Sequence, residues 1–319
     1  MIILLVIALS VVMVSGCESD NVIPDIYTSI YPIEFIVERI VEDDFKVKSI
    51  YPRGKDVHDY DLNPQDMINI SKSKLIFYIG AGLEILIEEA VETTLKDVPT
   101  LSLSDGMDLV EVNSEHVHEE DDLHKHTKGD NHDGLMYDPH IWLDLDKMQS
   151  MTTKVLVKIF ETFELTDEQQ ARFTVNANAL IEEFKALDQE YIDAINSEEV
   201  SNKTIIVDHD AYIYWEVRYG LKRIRIRNDN ESTDAIPKDM MEKINLAKEI
   251  KIKYICLTKN EMASSIAGQY KTQLGLKDDA YVYLHHLATI TAEEEKKGMD
   301  YLSIMKYNLE VLEKALPKK

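Results

Sequence analysis

Apolar positions along this chain follow two rhythms that replace one another several times. Short apolar runs at residues 26–29, 45–50 and 75–79, and again at 204–207, 253–257 and 281–284, have the length and the β-branched and aromatic content of strands. Between and after them the spacing relaxes to three and four. Helices are expected over about 33–41 and 83–94, and from about Ala211, Pro237 and Glu261. Strands that alternate with helices predict a mostly parallel sheet with helices on its faces, and the pattern occurs twice. The strongest helix lies between the two halves. Thr166-Asp167-Glu168-Gln169 is a capping box, and Phe173, Ala177, Leu180, Phe184, Leu187, Tyr191 and Ile195 then form one apolar stripe. At 1.5 Å per residue the helix from Asp167 to Ile195 is roughly 43 Å long, enough to brace two lobes. A coiled-coil dimer would carry the same stripe but would not account for the α/β pattern on both sides. The expected fold is therefore α/β, with two similar lobes over residues 22–150 and 200–319 joined by helices over 151–199.

Composition narrows the chemistry. Among 319 residues the formal net charge is −24, and an acidic surface repels a phosphate backbone, so nucleic acid is not an expected partner. The same surface raises the local concentration of cations. Residues 1–14 form an almost unbroken apolar run, too short to span a bilayer comfortably, followed by Ser15-Gly16-Cys17. Residues 1–17 therefore read as a signal segment, although no Lys or Arg precedes the run. The second cysteine, Cys256, sits inside an apolar strand. A single remaining thiol makes no internal disulfide and is most simply a small core residue.

Histidine is where the chain departs from an ordinary acidic protein. Five of its ten histidines, His116, His118, His124, His126 and His132, lie in the charged stretch 113–134, which has no apolar period and reads as a solvated loop. They are candidates for weak auxiliary metal contacts. His58, His140, His209 and His285 each follow a strand or stand in the loop after one, and strand ends in an open α/β sheet converge on one crevice. Imidazole is the commonest metal ligand near neutral pH, and four of them suit Zn²⁺ better than an oxygen-loving cation. Asp138 and Asp144 flank His140 and are placed to accept the proton of its second ring nitrogen. Asp59, Asp208 and Asp210 border the other histidines, where they can offset the ion's charge. At the fourth place the strand's alternation favours His285 over His286, which would face the opposite way in extended chain. Gly80-Ala81-Gly82 lacks the rest of either nucleotide fingerprint and reads as a tight turn, and no His-Glu-x-x-His occurs.

These motifs resemble a known family, the zinc/manganese-type substrate-binding proteins of bacterial ABC transporters. Val14-Ser15-Gly16-Cys17 resembles a bacterial lipobox, in which the cysteine is lipidated and becomes the first mature residue. Ser29-Ile30-Tyr31-Pro32 resembles the family's opening strand, His58-Asp59-Tyr60 with Asn63-Pro64 its first ligand motif, and Gly80-Ala81-Gly82-Leu83-Glu84 its third strand-to-helix turn. Asp138-Pro139-His140-Ile141-Trp142-Leu143-Asp144 is similar to the second ligand motif, and His209-Asp210-Ala211-Tyr212 with Arg218-Tyr219-Gly220-Leu221 to the third. Tyr301-Leu302 with Asn308-Leu309 resembles the terminal helix. The resemblance implies two α/β lobes around a metal in the cleft, with ligand roles for His58, His140 and His209. It also implies a zinc-type member, because a histidine-rich loop precedes the second ligand. The fourth place departs, since many members carry an acidic residue where this chain has Leu284-His285-His286-Leu287, and residues 223–234 match poorly.

The expected function is a monomeric extracytoplasmic receptor, lipid-anchored to the cell membrane through Cys17, that captures Zn²⁺ in preference to Mn²⁺. It hands the ion to an ABC permease and its ATPase. No catalytic residues are expected. The alternatives are a zinc-dependent hydrolase, if three histidines leave the fourth position open to water, and a metal-linked adhesin.

Overall fold

The computed structural model describes residues 23–55, 57, 60–113, 135–226, 238–259 and 262–319. In chain order the N-terminal elements are β1 (Ile26–Thr28), α1 (Tyr31–Val41), β2 (Val47–Ser49), α2 (Pro64–Ile70), β3 (Leu75–Tyr78), α3 (Ile85–Val91) and β4 (Thr100–Ser102). A short pair, β5 (Glu111–Asn113) and β6 (Leu135–Tyr137), leads into α4 (Leu145–Thr162) and α5 (Asp167–Ile195). The C-terminal elements are β7 (Thr204–Val207), α6 (Ile213–Tyr219), β8 (Lys222–Arg225), α7 (Lys238–Glu249), β9 (Ile255–Thr258) and α8 (Ser265–Leu274). They end with β10 (Tyr281–Leu284), α9 (Ala292–Lys296) and α10 (Tyr301–Ala315).

Two wholly parallel sheets form, in the orders β2-β1-β3-β4 and β10-β9-β7-β8. Within each lobe the strands are used in the same sequence, the second beside the first, then the third, then the fourth. The two α/β lobes are thus similar in topology as well as in composition. In such a sheet the order reverses between the first and third strands, and the crevice at their C-terminal ends is where ligands bind. His209 stands two residues past the end of β7, the first strand of its sheet.

The bracing helix α5 has 29 residues, and its Thr166 hydroxyl accepts the Gln169 N–H while the Gln169 side chain answers the Thr166 N–H. The stripe from Phe173 to Ile195 is buried, and the helix packs on α4, on α1 of the first lobe and on α10 of the second. Polar ties reinforce its packing on both lobes. Arg39 of α1 pairs with Glu183, while the buried Asp188 accepts from Arg218 Nε at 3.1 Å and from the Tyr219 hydroxyl at 2.9 Å, both on α6. One apolar core runs continuously from β1 to α10, and a second, smaller one fills the far side of the C-terminal sheet beneath α7 and α8.

Several elements differ from the sequence expectation for identifiable reasons. β4, β5 and β6 have three residues each, too few for a period to show. β8 alternates Arg223 and Arg225 with the buried Ile224 and Ile226, so its apolar content is halved. α3 starts at Ile85 because Gly80, Ala81 and Gly82 all take positive φ, 79°, 57° and 81°. The Glu84 carboxylate closes that turn by accepting the Ile79 and Gly80 N–H groups at 3.0 and 2.9 Å, and burial pushes its pKa up to about 7. A Cβ on Gly80 would stand 2.4 Å from Ser102 Oγ. Among the described residues no helix is long and apolar enough to cross a membrane. Cys256 is buried in β9, and burial pushes its thiol up to about 12, which keeps it protonated and inert.

Candidate metal centre

The Asp138-to-Asp144 segment enters the cleft from β6 and passes through a single 3-10 turn, Ile141–Leu143, before α4. His140 is buried. Its Nδ1 lies 2.9 Å from Asp138 Oδ1, and the same oxygen accepts the His140 backbone N–H at 2.9 Å. A carboxylate accepts only, so Nδ1 carries the proton, which makes Nε2 the nitrogen that would bind a metal. Asp144 does not share this task. It caps α4 by accepting the Asp146 and Lys147 N–H groups at 2.9 and 3.4 Å.

The second lobe grips this segment directly. Tyr214 and Trp215 of α6 donate to the carbonyls of Asp138 at 2.7 Å and Leu143 at 2.9 Å. The Tyr301 hydroxyl donates to the Trp142 carbonyl at 2.5 Å, and Trp142 Nε1 donates to the His286 carbonyl at 2.7 Å. Asn308, fully buried on α10, closes both sides of the His285 backbone: its oxygen accepts the His285 N–H and its amide donates to the His285 carbonyl, each at 2.8 Å. These five side chains were not singled out as functional from the sequence. Their signal there is proximity, since each aromatic stands within a few residues of a histidine motif or in the terminal helix.

Three imidazoles are thereby brought together. The His140 and His209 rings lie edge to face with centroids 6.2 Å apart, and the His209 and His286 rings are 6.1 Å apart. Imidazoles that share a tetrahedral zinc through nitrogens at about 2.0–2.1 Å hold their centroids about 5 Å apart, so these pairs must close by roughly 1 Å to share an ion. Among the described residues no three His, Cys, Asp or Glu side chains already stand close enough to do so. His58 and Asp59 lie outside the described residues, as do Cys17 and the loop histidines His116, His118, His124, His126 and His132.

At the His285–His286 pair the ring orientations differ from the sequence expectation. Strand alternation placed His285 toward the site and His286 away, yet the ring beside His209 belongs to His286. His285 turns the other way. Its Nδ1 accepts the Leu287 N–H at 2.9 Å and its Nε2 lies 3.6 Å from Glu294. The His285 imidazole, followed by Lys259 and Thr291, holds the Glu294 carboxyl well below the usual carboxylate range. The reason is local. β10 ends at Leu284, so the period of two does not extend to either histidine.

Two parallel-sheet lobes, a long helix spanning them and histidines from both lobes at the cleft define a protein of the metal-receptor class, with nitrogen donors suited to zinc. A family model confirms the class: that of the zinc-uptake complex component A, periplasmic, named ZnuA, matches residues 26–315. The chain belongs to this family. It is 28% identical over 294 residues to the zinc-binding protein AdcA of Streptococcus pyogenes, an alignment covering 90% of this chain and 55% of that protein. The chain thus spans about half the length of such relatives. It is 26% identical over 293 residues to the high-affinity zinc uptake system protein ZnuA of Bacillus subtilis, covering 91% of this chain and 87% of that one. Among solved structures, the Zn(II)-bound ZnuA-like domain of Streptococcus pneumoniae AdcA shares the fold with a TM-score of 0.72 at 21% identity, over 92% of this chain and 98% of that one. The metal-dependent lipoprotein YcdH of Bacillus subtilis does so with a TM-score of 0.72 at 24% identity, over 91% and 98%. The family is one of transport components rather than enzymes.

Proposed function

We propose that this chain is an extracytoplasmic receptor that captures Zn²⁺ as cargo between its lobes and delivers it to an ABC permease and its ATPase. The observation that carries the reading is His140, oriented by Asp138 on Nδ1 and with its ring 6.2 Å from that of His209 of the other lobe. Family membership and the names of the zinc-binding relatives support the same cargo. We assign the donors to His58, His140, His209 and one ring of the His285–His286 pair. The sequence pointed to His285 and the geometry favours His286. Neutral imidazoles suit Zn²⁺, whereas Mn²⁺ prefers more oxygen donors, and the Irving–Williams order acts in the same direction. A ligand that binds only the folded state raises stability by about 4 kcal/mol at a thousandfold excess over its dissociation constant. Adding Zn²⁺ to metal-free protein should therefore raise Tm by several degrees, and Mn²⁺ should do so less. Equal shifts from both ions, or none from zinc, contradict the proposal.

The location rests on Val14-Ser15-Gly16-Cys17 and on a relative in Streptococcus pneumoniae, 25% identical over 289 residues, described as a zinc-binding lipoprotein. A diacylglyceryl group supplies two acyl chains, enough for stable anchoring. Cys17→Ala should move the protein out of the membrane fraction or block its processing, and an unchanged membrane-bound fraction removes the anchor from the account.

A further inference from the structure

The residue after His209 is an aspartate whose two oxygens are both spoken for. Asp210 Oδ1 accepts from Arg223 Nη1, and Oδ2 accepts from Arg225 Nη1 at 3.2 Å. Both arginines come from β8, the edge strand beside β7, and they share its outward face because side chains two apart in a strand point the same way. They are not equivalent. The Arg223 side chain is only 4% exposed and is fixed a second time by Glu216 of α6, which accepts from its Nη2 at 3.1 Å and from its backbone N–H at 2.9 Å. Arg225 is half exposed. On the other side of His209, Asp208 is buried and accepts the Ser264 hydroxyl, at the cap of α8, at 2.7 Å.

A flexible carboxylate one residue from a metal-binding histidine is a ready oxygen donor, and oxygen donors move a site toward Mn²⁺ and other harder cations. A planar guanidinium that engages a carboxylate holds it in a fixed geometry, and here that carboxylate belongs to Asp210. Resting on the reading of the cleft as a zinc site, we propose that Arg223, assisted by Arg225, withholds the Asp210 carboxylate from the captured cation and so keeps the donor set nitrogen-only. Arg223 is a positioning and specificity residue that never touches the metal. The Arg-Ile-Arg-Ile alternation, which matched the resembled family poorly, acquires a role: isoleucines for the core on one face, a clamp for the His209 loop on the other.

The test is the ratio of Zn²⁺ to Mn²⁺ affinity, read by chelator competition on the metal-free full chain. Arg223→Met removes the charge while keeping volume, and the ratio should fall by at least about tenfold, the scale on which groups behind metal ligands act. Asp210→Asn added to Arg223→Met should restore it, because the freed donor is then gone. Arg223→Lys should retain only part of the native ratio, because one ammonium lacks the planar fork that reaches both Asp210 and Glu216. Arg225→Met, at an exposed position that folding tolerates, should shift the ratio in the same direction by less. An unchanged ratio in folded Arg223→Met and Arg225→Met overturns the inference while leaving the zinc site standing, and so does a fall that Asp210→Asn fails to reverse. Failure of the native chain to bind zinc overturns the functional reading itself.

Discussion

His140 and His286 face the same cleft with their rings in opposite states. At His140 the proton is pinned to Nδ1 by Asp138. At His286 Nδ1 accepts the Ala288 N–H at 3.3 Å, and at His285 the corresponding bond from Leu287 is 2.9 Å with Glu294 beyond the second nitrogen. The longer contact is already past the usual range for N–H···O or N–H···N bonds and is the cheaper one to release. His286→Ala should therefore weaken zinc by at least about 10- to 100-fold, the range for losing a group that only supports a ligand and so a floor for losing a ligand itself, and His285→Ala should cost less. Titration calorimetry on the two variants separates them, and a larger loss in His285→Ala reverses the assignment. For the native site the sign with pH is fixed: imidazole binds a metal only when neutral, so protons compete with zinc and affinity should fall as the solution is acidified. At this scale the sequence displayed the Asp138–His140 pairing, because both partners sit in one short motif. It did not display which of two adjacent histidines faces the cleft, because β10, and with it the period of two, ends at Leu284.

At the scale of elements, legibility followed length and local chemistry. The capping box and stripe of α5 were readable over 29 residues. The Gly80-Ala81-Gly82 turn was readable as a turn, but its closing group, Glu84, appears only once the strand ends are in place. Gly80 combines a φ of 79° with contact against Ser102 and Ser104. A side chain there meets the left-handed penalty of about 1–2 kcal/mol together with overpacking of about 1–3 kcal/mol. Gly80→Ala should accordingly lower unfolding free energy by about 2–5 kcal/mol in urea. A loss below about 1 kcal/mol would show that the turn relaxes and that the serines are not a wall. β8 was the least legible element, since two of its four residues serve the Asp210 clamp rather than the core.

The whole molecule repeats one strand order in two lobes, ties both to α5 and lets each lobe hold the other's histidine-bearing segment through Tyr214, Trp215 and Trp142. Two lobes and a bracing helix were visible in the alternation of strand and helix patterns. The interlocking hydrogen bonds were not, because they join residues more than seventy positions apart. The net charge of −24 gives the whole chain an acidic balance that concentrates cations, while the central claim is narrower: one tight zinc lies in the cleft, and the histidines of the 113–134 stretch add only weaker sites. Ordering such a segment costs about 1–2 kcal/mol of backbone entropy per residue fixed, which lowers the affinity of any site built on it. Native mass spectrometry of metal-free protein titrated with Zn²⁺ tests this directly on the native chain, a variant lacking residues 115–132 and His140→Ala. The account predicts that the deletion lowers the total zinc bound but keeps the first, tight ion, and that His140→Ala loses it. A tight ion that survives His140→Ala and disappears with the deletion would contradict it.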